Sequence, residues 1–229
     1  MKEIVSCKNL HKIYKQGKID VHALRGVDLE VSRGEFMALA GPSGSGKTTL
    51  LNLLGGLDSF DEGEVFINDY RLSELSTRAA TDLRLQHIGF IFQAYNLIPV
   101  LSAIENVEYI LLLQGDGSKE RRAKARQILE EVGLQGMQDR RPHELSGGQQ
   151  QRVAVARALV TQPDIILADE PTANLDSETA RSLLDIMQEM NKRRGATFIF
   201  STHDTRVMEY ARRVVILRDG QIKTDERKD

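Results

Sequence analysis

The sequence predicts an α/β fold in which a sheet core is interrupted by a helical lobe. Three observations carry that reading. Strand and helix signals alternate along the chain. From Tyr95 to about Leu159 the pattern is almost wholly helical, between segments that read as strands. The apolar run Phe36 to Ala40 passes through a glycine-rich turn directly into a helical run. No internal repeat, low-complexity segment or linker breaks the 229 residues, so one domain with an inserted lobe is expected.

In chain order, strands are expected at Glu3 to Asn9, at Val21 to Val31, where Val27, Leu29 and Val31 alternate, and at Phe36 to Ala40 after an Arg33-Gly34-Glu35 turn. The segment Lys47 to Leu54 is helical. Strands then fit Glu64 to Ile67 and Ile88 to Phe92, flanking a helix at Leu75 to Leu85. Helices follow at Ala103 to Leu113, Lys119 to Val132 with Gly133 as its stop, and Gly147 to Val160. The strand Asp164 to Ala168, the helix Ser177 to Lys192 and the strands Thr197 to Ser201 and Arg213 to Arg218 complete the alternation. Asp219-Gly220 reads as a two-residue hairpin into Gln221-Ile222-Lys223.

Hydrophobic residues at 41% and charged residues at 28% can build a sizeable core, so a soluble globular chain is expected. The formal charge of -2, with only short basic stretches such as Arg121-Arg122 and Lys192-Arg193-Arg194, argues against a nucleic-acid partner. Cys7 is the one cysteine, which excludes an internal disulfide and points to a reducing compartment. Met1 to Ser6 lacks the apolar stretch of a signal peptide, and the aliphatic run Tyr109 to Leu113 is too short to span a bilayer. A cytoplasmic location without direct bilayer insertion follows as an expectation.

The chemistry is concentrated in three strings. Gly41-Pro42-Ser43-Gly44-Ser45-Gly46-Lys47-Thr48-Thr49 lies between a strand and a helix. Glycines let successive N–H groups face one point, and the helix N-terminus adds partial positive charge, so phosphate is the natural occupant. Lys47 would reach the β and γ phosphates, and Thr48 would ligate Mg2+. Second, Ile165-Ile166-Leu167-Ala168-Asp169-Glu170 is a buried-strand run ending in two acids. Asp169 would hold the metal through a water, and Glu170 would orient or deprotonate an attacking water.

Third, Leu145-Ser146-Gly147-Gly148-Gln149-Gln150-Gln151-Arg152 places a capping serine and two glycines ahead of a helix, a second anion-seeking helix end in one chain. This string resembles the signature motif of ABC ATPases, and the resemblance covers essentially the whole chain. It implies a P-loop NTPase (RecA-like) core with an antiparallel β subdomain and an inserted α-helical subdomain: residues 1–93 and 160–229 as catalytic core with β subdomain, and 94–159 as the helical signature subdomain. It also implies that two subunits pair head to tail, Ser146, Gly147, Gly148 and Gln149 of one closing over ATP held by the phosphate loop of the other.

Further positions resemble the family one by one. Tyr14 matches the aromatic that stacks on adenine, with a packed strand residue as the alternative. Gln93 matches the glutamine that contacts Mg2+ and the water, and opens the loop that senses the membrane partner. Asp176, in Ala173-Asn174-Leu175-Asp176, matches the aspartate that communicates across the dimer; Ala173 departs from the usual glycine or serine. His203, in Ser201-Thr202-His203-Asp204, matches the histidine at the γ-phosphate.

Val21 to Val27, Leu51 to Asp58, Phe92 to Pro99 and Ala173 to Ser177 resemble the branch of lipoprotein-releasing, macrolide-exporter and cell-division ATPases. That likeness implies a homodimer acting on integral membrane permease-type subunits from the cytoplasmic face of the inner membrane. The apolar segment Tyr95 to Leu101 is expected either to form a docking groove or to pack the helical lobe. Two other classes stand beside this reading. One is a soluble ABC ATPase of DNA repair or translation, whose long coiled-coil insertion or fused halves have no counterpart in this sequence. The other is a regulatory module that holds nucleotide without turnover, against which Glu170 and His203 argue.

Overall fold

The structure is a computed structural model that describes residues 3–228; Met1, Lys2 and Asp229, which the sequence reading includes in the domain, lie outside it. Two sheets organise the chain. The strands β1 (Glu3–Gln16), β2 (Ile19–Ser32), β4 (Glu62–Ile67) and β5 (Tyr70–Arg71) form an antiparallel sheet in the order β2-β1-β4-β5. The second sheet runs β10-β9-β3-β8-β7-β6, from β3 (Phe36–Ala40), β6 (Ile88–Ile91), β7 (Ile165–Asp169), β8 (Thr197–Thr202), β9 (Arg213–Arg218) and β10 (Gln221–Arg227). Its strands pair in parallel except at the β9-β10 hairpin.

The period-2 alternation of the parallel strands sorts their side chains into two cores. Phe36, Ala38, Ile166, Ala168, Phe198 and Phe200 point to the face covered by α3 (Ala103–Gln114), α4 (Ser118–Glu131), α5 (Gly147–Leu159) and α6 (Ser177–Arg194). Met37, Leu39, Ile165, Leu167, Ile199 and Val215 point the other way, toward α1 (Lys47–Leu54) and the antiparallel sheet. Because both faces are covered, these strands read as continuous apolar runs, and all five residues of β3 are buried. Burial of one such large apolar side chain contributes about 1.5–3 kcal/mol.

The structure lengthens or adds several elements. β1 and β2 continue through a Gly17-Lys18 turn as one long hairpin, where the sequence reading ends the first strand at Asn9. Register shifts after Cys7 and after Lys12 explain this, since each slip moves later side chains to the other face and destroys the alternation. The helix expected from Leu75 is α2 (Thr77–His87), because Ser76 caps it by accepting from the Ala79 N–H. The strand expected to reach Phe92 ends at Ile91, and two short elements, β5 and α7 (Thr205–Met208), have no periodicity to betray them. The Asp219-Gly220 turn is as expected, with both residues at positive φ.

One buried cation ties the edge of the large sheet to the hairpin. Arg213, 6% exposed, donates two bonds to Asp225 (2.7 and 2.6 Å), one to Glu35 (2.8 Å) and one to the Glu30 carbonyl (2.7 Å). Those bonds hold the Asp225 carboxyl below its ordinary range.

Candidate functional site

The site lies where β3, β7 and β8 end, the edge of a parallel sheet at which open α/β folds bind ligands. After β3 the chain turns through the glycine loop into α1. Gly46, the cap residue of α1, has φ 103°, and a Cβ there would sit 2.5 Å from the Ala23 carbonyl oxygen, so only glycine permits this approach. Ser45 is buried; its N–H donates to Pro42 O (3.2 Å), and its carbonyl accepts from the Gly220 N–H (3.0 Å), pinning the loop to the terminal hairpin. Lys47 is buried, and its ammonium donates back to the Gly41 and Pro42 carbonyls at 2.8 and 3.1 Å, with Glu170 Oε1 at 4.0 Å. A shielded cation compensated mainly by carbonyl dipoles beside an open loop is a demand for an anion.

The two acids that end β7 take different surroundings. Asp169 accepts from Thr48 Oγ1 at 3.0 Å on each oxygen and from Ser201 Oγ at 2.6 Å. Ser201 Oγ in turn accepts from the Glu170 N–H at 2.9 Å. Glu170 has φ 45°, a left-handed conformation that costs a non-glycine residue and turns its side chain off the strand direction. Its Oε1 lies 2.9 Å from His203 Nδ1, so beside an ionised Glu170 the imidazole is the Nδ1–H tautomer, donating to it. Thr48 and Asp169 together offer hard oxygen donors, and no cluster of three or more His, Cys, Asp or Glu with metal-binding geometry occurs among the described residues. That set fits Mg2+, which keeps waters and takes its other ligands from nucleotide oxygens.

Ser43, Gly44, Gly46, Lys47, Thr48 and Thr49 line a cleft of about 400 Å³, together with Tyr14, Gln93, Glu170 and His203. Val21, His22 and Ala23 of β2 and Ala173 complete it. Tyr14 is not a packed strand residue: it is 39% exposed, its hydroxyl donates to Asp58 Oδ2 at 2.8 Å, and Lys12 Nζ lies 4.8 Å from its ring centroid. Partial burial and the bond to Asp58 push its hydroxyl pKa up, and Tyr14 and Lys12 hold Asp58 below its usual value against the opposing effect of burial. Gln93 is held through its backbone, its carbonyl accepting from Asn174 Nδ2 at 3.0 Å. Sequence reasoning missed Ser201, Asn174, Asp58 and Lys12, whose partners lie 30 or more residues away.

Ser146, Gly147, Gly148, Gln149 and Asp176 are not part of this cleft. Ser146 and Gln149 form a reciprocal capping box, Ser146 Oγ accepting from the Gln149 N–H and Gln149 Oε1 from the Ser146 N–H. In such a helix start the first two N–H groups, here of Gly147 and Gly148, have no intrahelical acceptor. A Cβ on Gly148 would collide with the Thr179 methyl. Thr179 is itself fixed by Asp176, which caps α6 and accepts from Thr179 Oγ1 at 2.6 Å.

The segment after Gln93 meets two different surroundings. Leu97 packs against the helical core, whereas Ile98 lines an apolar groove of about 450 Å³ with Leu85, Phe90, Tyr109 and Ile110. Asn106 clamps this segment, bonding the Ile98 N–H and the Ile98, Leu101 and Ser102 carbonyls. Among the described residues no helix is long and apolar enough to cross a membrane.

The comparisons with known proteins agree with this geometry. Residues 24–173 match the family model described as ABC transporter. The chain is 42% identical over 228 residues to the ABC transporter ATP-binding protein MJ0796 of Methanocaldococcus jannaschii, covering 98% of this chain and 97% of that one. It is 44% identical over 221 residues to the lipoprotein-releasing system ATP-binding protein LolD of Francisella tularensis, covering 96% of each. Its fold superposes on the dimeric post-hydrolysis structure of MJ0796 bound to ADP and Pi with a TM-score of 0.92 over 99% of both chains. By family model, full-length relatives and fold, the chain belongs to the ABC transporter family, among its ATP-binding cassettes.

Proposed function

We propose that this chain is an ABC-type ATP hydrolase that works as a pair of identical subunits, closes over two ATP molecules and drives permease-type membrane subunits from the cytoplasmic face of the membrane. The observation that carries this reading is the division of the anion-binding groups. One cleft gathers Lys47, Thr48, Glu170 and His203, while the helix start at Ser146, whose first N–H groups have no intrahelical acceptor, lies outside it in the same chain. A second copy brings that helix end to the first copy's phosphate loop. The dimeric ADP- and Pi-bound structure of MJ0796 supports the pairing.

In this reading the site residues divide the work among them. Lys47 and the loop N–H groups of Ser43 to Thr49 hold the phosphates, and Tyr14 stacks on the base. Thr48, Asp169 through a water, and Gln93 would hold Mg2+, which supplies charge neutralisation at the phosphate oxygens. Glu170 takes the proton of the attacking water, and His203, bonded to Glu170 at 2.9 Å, contacts the γ-phosphate. Asp176 communicates across the pair, from its place at the cap of α6. Loss of the γ-phosphate removes the charge bridging the two copies, and the pair opens.

The output is assigned to the branch of lipoprotein release, macrolide-type efflux and mechanotransmission. The 44% identity to a lipoprotein-releasing ATP-binding protein supports it. The apolar groove lined by Ile98 and the exposed Tyr109, with Leu112 and Leu113 also exposed on the same helix, supports a permease-type partner. The deciding experiment uses Glu170→Gln. With ATP and Mg2+ it accumulates as a dimer in size-exclusion chromatography with light scattering, while phosphate release falls about 100-fold or more. Normal turnover in that variant removes Glu170 as the base, and a monomer at saturating ATP removes the two-copy site.

A further inference from the structure

Arg157 sits on α5 three turns beyond the Ser146 cap, and its guanidinium has no carboxylate partner among the described residues. It donates to the Asn96 carbonyl at 2.5 Å and the Tyr95 carbonyl at 2.9 Å. Both carbonyls belong to left-handed residues, with φ 59° at Tyr95 and 51° at Asn96, a region that disfavours tyrosine. Such a conformation persists only where the surroundings over-determine it, and the arginine fork supplies that constraint. The Tyr95 ring returns to the same helix: a Cβ on Gly147 would lie 2.9 Å from its hydroxyl. Tyr95 therefore touches α5 both at its first turn and, through its carbonyl, near its last. Two residues upstream stands Gln93, held from its other side by Asn174. The groove that Arg157 lines is apolar and carries no acidic side chain; burial there also pushes the Arg157 pKa down. The two carbonyls are thus what compensates the cation.

We infer that Arg157 is a positioning residue for closure of the pair: it binds the Gln93 loop to the helix beginning at Ser146, so that nucleotide-driven movement of the loop is delivered to the helix end that seals the other copy's site. The inference rests on the two-copy reading above. A fork on two consecutive carbonyls fixes orientation as well as distance, which a lysine ammonium on one carbonyl does not. Arg157 touches neither nucleotide nor the reacting water in this scheme.

The test places Arg157→Gln and Arg157→Lys in the Glu170→Gln protein and makes two measurements. The first is ATP affinity at protein concentrations where the chain is monomeric; the second is the ATP concentration giving half-maximal dimer by light scattering. The expected result is monomer affinity within about twofold of the Glu170→Gln protein, with about tenfold more ATP needed for half-maximal dimer in Arg157→Gln and an intermediate value in Arg157→Lys. Unchanged dimerisation in both variants overturns the inference, and so does a loss of dimer that merely parallels a loss of ATP affinity. Arg157→Lys carries the test where Arg157→Gln fails to fold. A Glu170→Gln protein that never dimerises sinks the two-copy reading itself.

Discussion

Lys47→Met separates what the lysine does for nucleotide from what it does for the fold. Methionine keeps an unbranched stem of similar length, so the packing of α1 survives while the ammonium goes. With ATP bound, the loss is one charge-assisted bond to phosphate, about 2 kcal/mol, or about 30-fold in Kd. Without nucleotide the terms oppose each other. The Gly41 and Pro42 carbonyls each lose a donor at 2.8 and 3.1 Å, but a shielded charge with the Glu170 carboxylate no nearer than 4.0 Å also disappears. Glu170 keeps its 2.9 Å contact with His203. The apo protein is therefore expected to change by about 1 kcal/mol or less. Calorimetric titration with Mg2+ and ATP measures the first quantity, and urea denaturation without nucleotide measures the second. An affinity within about threefold of the unsubstituted protein refutes the phosphate role. A drop of several kcal/mol in the apo protein would instead make Lys47 a structural cation.

Tyr14→Ala is expected to weaken ATP binding by about 1 kcal/mol while Tyr14→Phe does not, because the ring and not its bond to Asp58 meets the base; equal losses in the two titrations refute stacking. Gly148→Ala, in the Glu170→Gln protein, forces α5 away from Thr179 and abolishes ATP-driven dimer in light scattering without weakening monomer binding. Thr179→Ser added to it removes the colliding methyl, keeps the hydroxyl on Asp176 and restores the dimer; no rescue would show that the glycine serves another purpose. Asp225 contributes stability in full above its ordinary pKa of 3.8, because Arg213 holds its folded value lower, and loses it as pH falls through that folded value. Urea midpoints of Asp225→Asn should therefore lie below those of the unsubstituted protein at pH 7 and converge with them below pH about 3.8; parallel curves refute the linkage.

The fold was legible wherever the chain is buried on both faces or capped. β3, β7 and β8 announce themselves as apolar runs because the parallel sheet is covered on both sides. α3, α5 and α6 begin after Ser102, Ser146 and Asp176, each a capping residue whose side chain accepts the expected N–H bond. The long β1-β2 hairpin was half hidden because its bulges shift the facing of successive side chains, and a periodicity argument has no way to follow a shift it cannot see. β5, two residues long, is held by pairing with β4 and not by any pattern of its own.

The candidate site divides the same way, between what local sequence dictates and what only folding brings together. A glycine loop between strand and helix, or acids ending a buried strand, act through groups adjacent in the chain, so their chemistry can be argued from spacing. Ser201 could not be found so, although it links the two acids by accepting from the Glu170 N–H and donating to Asp169. Its role depends on β8 lying beside β7, where Asp169 pairs with Ser201 in register. Asp176 shows the sharper case. Its likeness to the family implied communication between copies, but within one chain it caps α6 and holds Thr179, and Thr179 is the side chain that forbids a larger residue at Gly148. The requirement for glycine in the Ser146 helix start is thus imposed partly from a neighbouring helix. A motif that looks like a self-contained string is, physically, one side of a contact whose other side lies about thirty residues further on.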